Sequence, residues 1–184
     1  MRQAIGWTRG EGVAKEFAIA VGSYAMTLPI LAVGLLITLV LISAMGVFGG
    51  NLQSAFPGGV GPAHPIIAEL AQRDLGLFLQ ILLVGSIAAP IVEETFFRGV
   101  LFQHLVHGTR FLGFGASVTF ATLLNAFVFA IIHPQGVAAV PALASLAAGF
   151  SLTRAWRGSV LPSIVMHGLS NGLVLTMVFL VAAD

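Results

Sequence analysis

The chain contains no cysteine and little charge, with 8% of its 184 residues charged against 58% hydrophobic. Without cysteine there is no disulfide, no thiolate metal site and no cysteine nucleophile. So few charges, together with a mean hydropathy of +1.01, place the chain outside the composition of soluble globular domains. The net charge is +1 and the lysines and arginines form no cluster, so no nucleic-acid partner is expected. Also lacking is the polar/apolar alternation of membrane β-strands. The apolar segments are instead continuous, and several reach the roughly 20 helical residues that cross a hydrocarbon core of ~30 Å. Residues Met1–Gly12 carry two arginines but no short apolar core with a small-residue cleavage site, so no removable signal peptide is expected. Composition therefore predicts an all-α fold, a polytopic transmembrane helical bundle of about five spans.

The first apolar block runs from Phe17 to Phe48 behind Lys15 and Glu16. With Pro29 as a kink or start point, its main span is expected at about Leu28–Phe48. Gly49–Pro65, which includes His64, reads as a glycine- and proline-rich loop, and Ile66–Arg73 as a short interfacial helix. A second span begins near Leu75 and meets Pro90, where a kink can free backbone carbonyls. A polar connection, His107–Gly115, leads to a third span at about Ala116–Ile132 that stops at His133-Pro134. The fourth is expected at about Val137–Leu152, followed by Arg154 and Arg157, and the fifth at about Val160–Val181. No internal repeat is evident. Residues 1–74 read as an N-terminal segment with one accessory span, and residues 75–184 as the core. Lysine and arginine counts favour a cytoplasmic N-terminus, because only Arg73 then falls outside. The same counting sets His133 near the outer end of its helix and the glutamates described next nearer the inner side.

Against this apolar background, Glu93-Glu94-Thr-Phe-Phe-Arg98 concentrates three ionisable groups in one span. Buried charges in a membrane need partners and usually a task. Glu94 and Arg98 are four apart on one helical face and can pair. Glu93 points elsewhere and has no local cation, which makes it a candidate general base. His133 sits at a helix break, where irregular backbone must line a cavity or be buried in protein. His167 and Asn171, again four apart, could donate two hydrogen bonds to a developing oxyanion. The plainer reading of this last pair is interhelical hydrogen bonding, with Gly168, Ser170 and Gly172 permitting close approach. Asn125 could bond to a neighbouring helix. His104 and His107 read as interfacial, and Trp7 and Trp156 as interfacial anchors.

Glu93-Glu94-x-x-x-Arg98, Phe129-x-x-x-His133 and His167-x-x-x-Asn171 occur in that order on successive spans, flanked by Pro90 and Phe97-Arg98-Gly99. Together they resemble the CPBP family of membrane proteases, named for CAAX prenyl proteases and bacteriocin-processing enzymes. The resemblance covers roughly Leu75–Val181 and implies a CPBP-like four-helix core. It implies glutamate- and histidine-activated water without an acyl intermediate, on a protein or peptide substrate at the lipid bilayer. Glu93 would then be the base, with His133 positioning or polarising the water. His167 and Asn171 would stabilise the oxyanion, and Glu94 and Arg98 would orient the active glutamate. No cofactor is expected. The short chain suits a prokaryotic member, in the cytoplasmic membrane.

Three other readings compete. Zinc could be held by Glu93, His133 and His167 with one open position, although no His-Glu-x-x-His helix is present. A non-enzymatic immunity or scaffolding protein could retain the same polar network. A proton-coupled transporter also uses intramembrane Glu and His, but usually shows repeated halves.

Overall fold

The computed structural model describes residues 5–49, 69–70 and 74–181. Among these residues there is no strand, and five helices are long and apolar enough to cross a bilayer. They are α1 (Val13–Gly49), α2 (Leu75–Gly108), α3 (Phe114–Ile131), α4 (Val140–Arg157) and α5 (Leu161–Val181). The expected loop Gly49–Pro65 lies outside the described residues apart from Gly49, as does most of the expected helix Ile66–Arg73.

Helix α1 starts at Val13, fifteen residues earlier than the span expected at Leu28, and runs through Pro29. Lys15 and Glu16 had marked a boundary, yet both are helical. Glu16 is 1% exposed because Arg157 of α4 reaches it at 2.7 Å. Helix α1 packs along α4 and α5, where Ala20 and Tyr24 meet Phe150 and Met166. A methyl group at Gly34 would run into Ser145 and the Pro141 carbonyl, so glycine there sets the closeness of α1 and α4. Helix α4 also outruns its expected end. Arg154 and Arg157 form its last turn, and Gly158 (φ +67°) closes it in the left-handed conformation.

Helix α2 has 34 residues, roughly 50 Å at 1.5 Å per residue, well beyond a ~30 Å hydrocarbon core. Two π-helical turns, Val84–Ala88 and Thr95–Leu101, bracket a short α-helical piece, Ala89–Glu94. Pro90 shapes the first of them. The Ala89 N–H donates back five residues to Val84, and proline has no N–H to offer Gly85. The Gly85 carbonyl is thereby left for a partner outside its own helix, and that partner is described below.

Candidate active site

The length of α2 resolves the depth mismatch. Glu93 lies fifteen residues before the end of α2 at Gly108, about 22 Å along the axis, while the 18 residues of α3 rise about 27 Å. Helices α2 and α3 are antiparallel neighbours, so the middle of one meets the end of the other. Glu93 Oε2 sits 3.9 Å from His133 Nε2 and 3.9 Å from His167 Nε2. Helix α2, helix α5 and the turn after α3 thus meet at one carboxylate oxygen, which has no hydrogen-bond partner among the described residues.

Glu94, next along α2, turns the other way into the interior and is 0% exposed. Its Oε1 accepts from Arg98 Nη1 at 2.8 Å and faces His167 Nδ1 at 2.9 Å. Arg98, also 0% exposed, donates from Nη2 to the Ala147 carbonyl of α4 at 2.9 Å. Its guanidinium carbon lies 4.7 Å from the ring centre of Phe129 and 5.2 Å from that of Phe150. Aromatic faces attract a cation most effectively when water is excluded. The same rings hold the histidines: Phe129 packs against both His133 and His167, and Phe150 stacks on His167 at 5.4 Å. Below them Asn125 Nδ2 donates to Ser151 Oγ, which donates to the same Ala147 carbonyl.

The tautomers follow from these contacts. A ring nitrogen beside a carbonyl or carboxylate oxygen must carry the hydrogen, since two acceptors cannot bond. His133 Nδ1 lies against the Phe129 carbonyl, so its Nδ1–H donates there and a neutral ring presents a bare Nε2 to Glu93. His167 likewise donates from Nδ1 to Glu94 and turns Nε2 toward Glu93.

Asn171 is placed differently from the other candidates. Its Nδ2 donates at 2.8 Å to the Gly85 carbonyl, the group left over by the π turn and Pro90. One amide hydrogen is thereby engaged, and among the described residues the other has no acceptor. Gly168, on the same helix, lets α5 close onto α2, since a methyl group there would collide with the Ser86 carbonyl. His104 is exposed, and His107 bonds only to the Gln103 carbonyl of its own helix.

Sequence reasoning missed the rings around Arg98 and His167. Phe129 carried a signal, standing four residues before His133. Phe150 carried none that separates it from other apolar residues of α4. No group of three His, Asp or Glu residues disposed to hold a metal ion is found among the described residues.

Comparison with known proteins bears on the same part of the chain. The family described as type II CAAX prenyl endopeptidase Rce1-like matches residues 75–173, more than half of the 184. The membrane-embedded CAAX protease MroQ of Staphylococcus aureus (strain USA300) is 32% identical over 92 residues, or 48% of this chain. That alignment covers 35% of MroQ, so the chain spans about a third of that relative's length. No solved structure gives a significant match. With five apolar helices and a match that begins with α2 and runs into α5, this chain is an integral membrane protein that belongs to the type II CAAX prenyl endopeptidase Rce1-like family.

Proposed function

We propose that the chain is an intramembrane endopeptidase that hydrolyses a peptide bond of a membrane-associated protein or peptide with water activated by Glu93. The observation that supports this reading is the convergence of His133 Nε2 and His167 Nε2 on Glu93 Oε2, each at 3.9 Å. The Glu93 oxygen and the bare His133 Nε2 are both acceptors, so a water between them donates both hydrogens and keeps a lone pair for the substrate carbonyl. In the attack, the water oxygen bonds to the carbonyl carbon and one water proton passes to Glu93. The peptide C–N bond then breaks as that proton moves to the departing nitrogen.

The oxyanion formed in between needs donors already in place. His167 supplies one from Nε2 when its ring carries both protons, with Glu94 accepting the Nδ1–H. The second N–H of Asn171 supplies another. Arg98 holds Glu94, and through it His167, so the Glu94–Arg98 pair orients the site without touching substrate. In this reading residues 75–184 form the catalytic core, supported by α1 within residues 1–74. The N-terminus lies on the cytoplasmic side of a prokaryotic membrane, and no metal enters the reaction. A relative named as a CAAX protease makes membrane-tethered polypeptides the first substrates to examine.

The test is a comparison of peptide termini in membranes carrying the wild-type protein or Glu93→Gln. New termini that depend on Glu93, at equal protein levels, are expected. Identical termini in both would end the protease reading, and a biological effect that survives Glu93→Gln would favour an immunity or scaffolding role.

A further inference from the structure

The end of the bundle that holds Arg154 and Arg157 is covered by the N-terminal segment before α1. Gly6 accepts from the Val160 N–H through its carbonyl at 2.9 Å, Ser159 donates to the Thr8 carbonyl, and Trp7 Nε1 donates to Thr95 at 3.0 Å. Glu11 and Glu16 are both claimed here: Lys15 pairs with Glu11, and Arg157 reaches Glu11 at 2.6 Å and Glu16 at 2.7 Å.

Two cations remain. Arg9 and Arg154 have no carboxylate within ion-pair distance among the described residues. Arg154 is 4% exposed, and its Nε is buried with no hydrogen-bond partner among the described residues. A buried cation without a counter-ion is strongly disfavoured, and its field carries far through low-dielectric surroundings. The guanidinium lies flat under Gly6, where a methyl group would come within 2.6 Å of Nη2. Gly6 itself has a φ of +80°, so it is glycine for two reasons at once.

Beside Gly6 is a pocket of about 620 Å³ lined by Ile5, Trp7, Thr8, Arg9, Val13 and Leu161. Its composition is amphipathic, with Arg9 and Thr8 able to donate and Ile5, Val13 and Leu161 forming apolar walls. Trp7 and the 67% exposed Trp156 both lie at this end, and indole rings favour the headgroup region. We infer that this pocket binds the headgroup phosphate of an anionic phospholipid, with Arg9 as the direct contact and Arg154 as the buried charge behind it. Basic pockets between helices at the cytoplasmic surface favour such lipids. A lipid also suits the apolar walls, which would meet the start of its acyl chains and give a free phosphate nothing to bind.

The experiment purifies the protein into nanodiscs of phosphatidylcholine with or without phosphatidylglycerol and counts retained lipids by native mass spectrometry. Phosphatidylglycerol should be enriched over phosphatidylcholine. Arg9→Gln should weaken its retention at least about tenfold, the worth of a charge-assisted hydrogen bond, and Arg154→Gln, which acts through its field alone, about fivefold. Arg110→Gln, in the α2–α3 connection, should change nothing. If Arg154→Gln does not fold, Arg9→Gln decides alone. Equal retention of the two lipids, or wild-type retention in Arg9→Gln, would overturn the proposal. So would soluble glycerol phosphate displacing the bound lipid at millimolar concentration, which would assign the pocket to a free phosphate.

Discussion

Replacing Arg98 by methionine keeps much of the side-chain length and removes the charge. In the structure Arg98 is fully buried, donates to Glu94 at 2.8 Å and to the Ala147 carbonyl at 2.9 Å, and lies among three aromatic rings. Without it the Glu94 carboxylate keeps only His167 Nδ1–H as a donor, and the Ala147 carbonyl keeps only Ser151 Oγ. Breaking one side of a buried pair costs about 3–5 kcal/mol, because a charge is left uncompensated. Methionine recovers part of the lost ring contact through its sulfur, so a net loss of about 4 kcal/mol is a reasonable centre. For a chain of this length that lowers the unfolding midpoint by roughly 8–16 °C. Adding Glu94→Gln removes the orphaned charge, so the double variant should regain at least about 2 kcal/mol of stability over Arg98→Met. Tryptophan fluorescence during thermal unfolding in one detergent reads all four proteins of the cycle. Cleavage should stay low in the double variant, since His167 has lost its anionic partner. A coupling below about 0.5 kcal/mol would refute the reasoning, because the two groups would then behave as independent sites.

Other outcomes follow from the same geometry. Gly168→Ala should force α5 away from the Ser86 carbonyl and lower the unfolding midpoint, whereas Gly115→Ala, facing open space at the start of α3, should not; equal midpoints would show that α2 and α5 are not in close contact. Asn171→Ala leaves the Gly85 carbonyl unpaired and removes a proposed oxyanion donor, so kcat should fall roughly 10²–10³-fold with little change in KM. A rise in KM alone would mean that Asn171 serves binding only. Activity should survive exhaustive chelation and dialysis, and stoichiometric zinc in elemental analysis, with activity lost on its removal, would replace the water-activation scheme by a metal-assisted one.

Most spans were legible because an apolar run long enough to cross a bilayer has few alternatives. The boundaries that failed did so for different reasons. Pro29 looked like a start point yet lies inside α1, and Arg157 looked like the polar end beyond a membrane segment, but it pairs with Glu16 from 141 residues away, and no local window contains that pair. The Glu94–Arg98 contact was visible because its partners are one helical turn apart. Its third member, His167, lies 73 residues from Glu94 and emerges only when α5 packs on α2. The depth mismatch had a similar origin. Counting residues assumes spans of equal length, whereas α2 exceeds α3 by sixteen residues. The Pro90 break was legible and pointed to a freed carbonyl, but nothing local named Asn171 as its taker.

The two π turns also change what periodicity means along α2. Each adds about one residue to a helical turn, shifting everything beyond it by roughly 100°. A wheel drawn from Leu75 is therefore out of phase by Glu93, and further out by His104. The helix behaves as three short rods joined by angular offsets rather than as one amphipathic cylinder. Phe78 and Ile81 are buried in the first rod and Phe102 in the last, while Glu93 faces two other helices from the middle. One continuous helix can thus keep mostly apolar flanks toward lipid and still rotate a single turn of acids inward. Deleting one residue from Val84–Ala88 would let an ordinary α turn carry the same angle, whereas deleting one from the α-helical stretch Leu77–Leu83 would turn the first rod by roughly 100° against the glutamates.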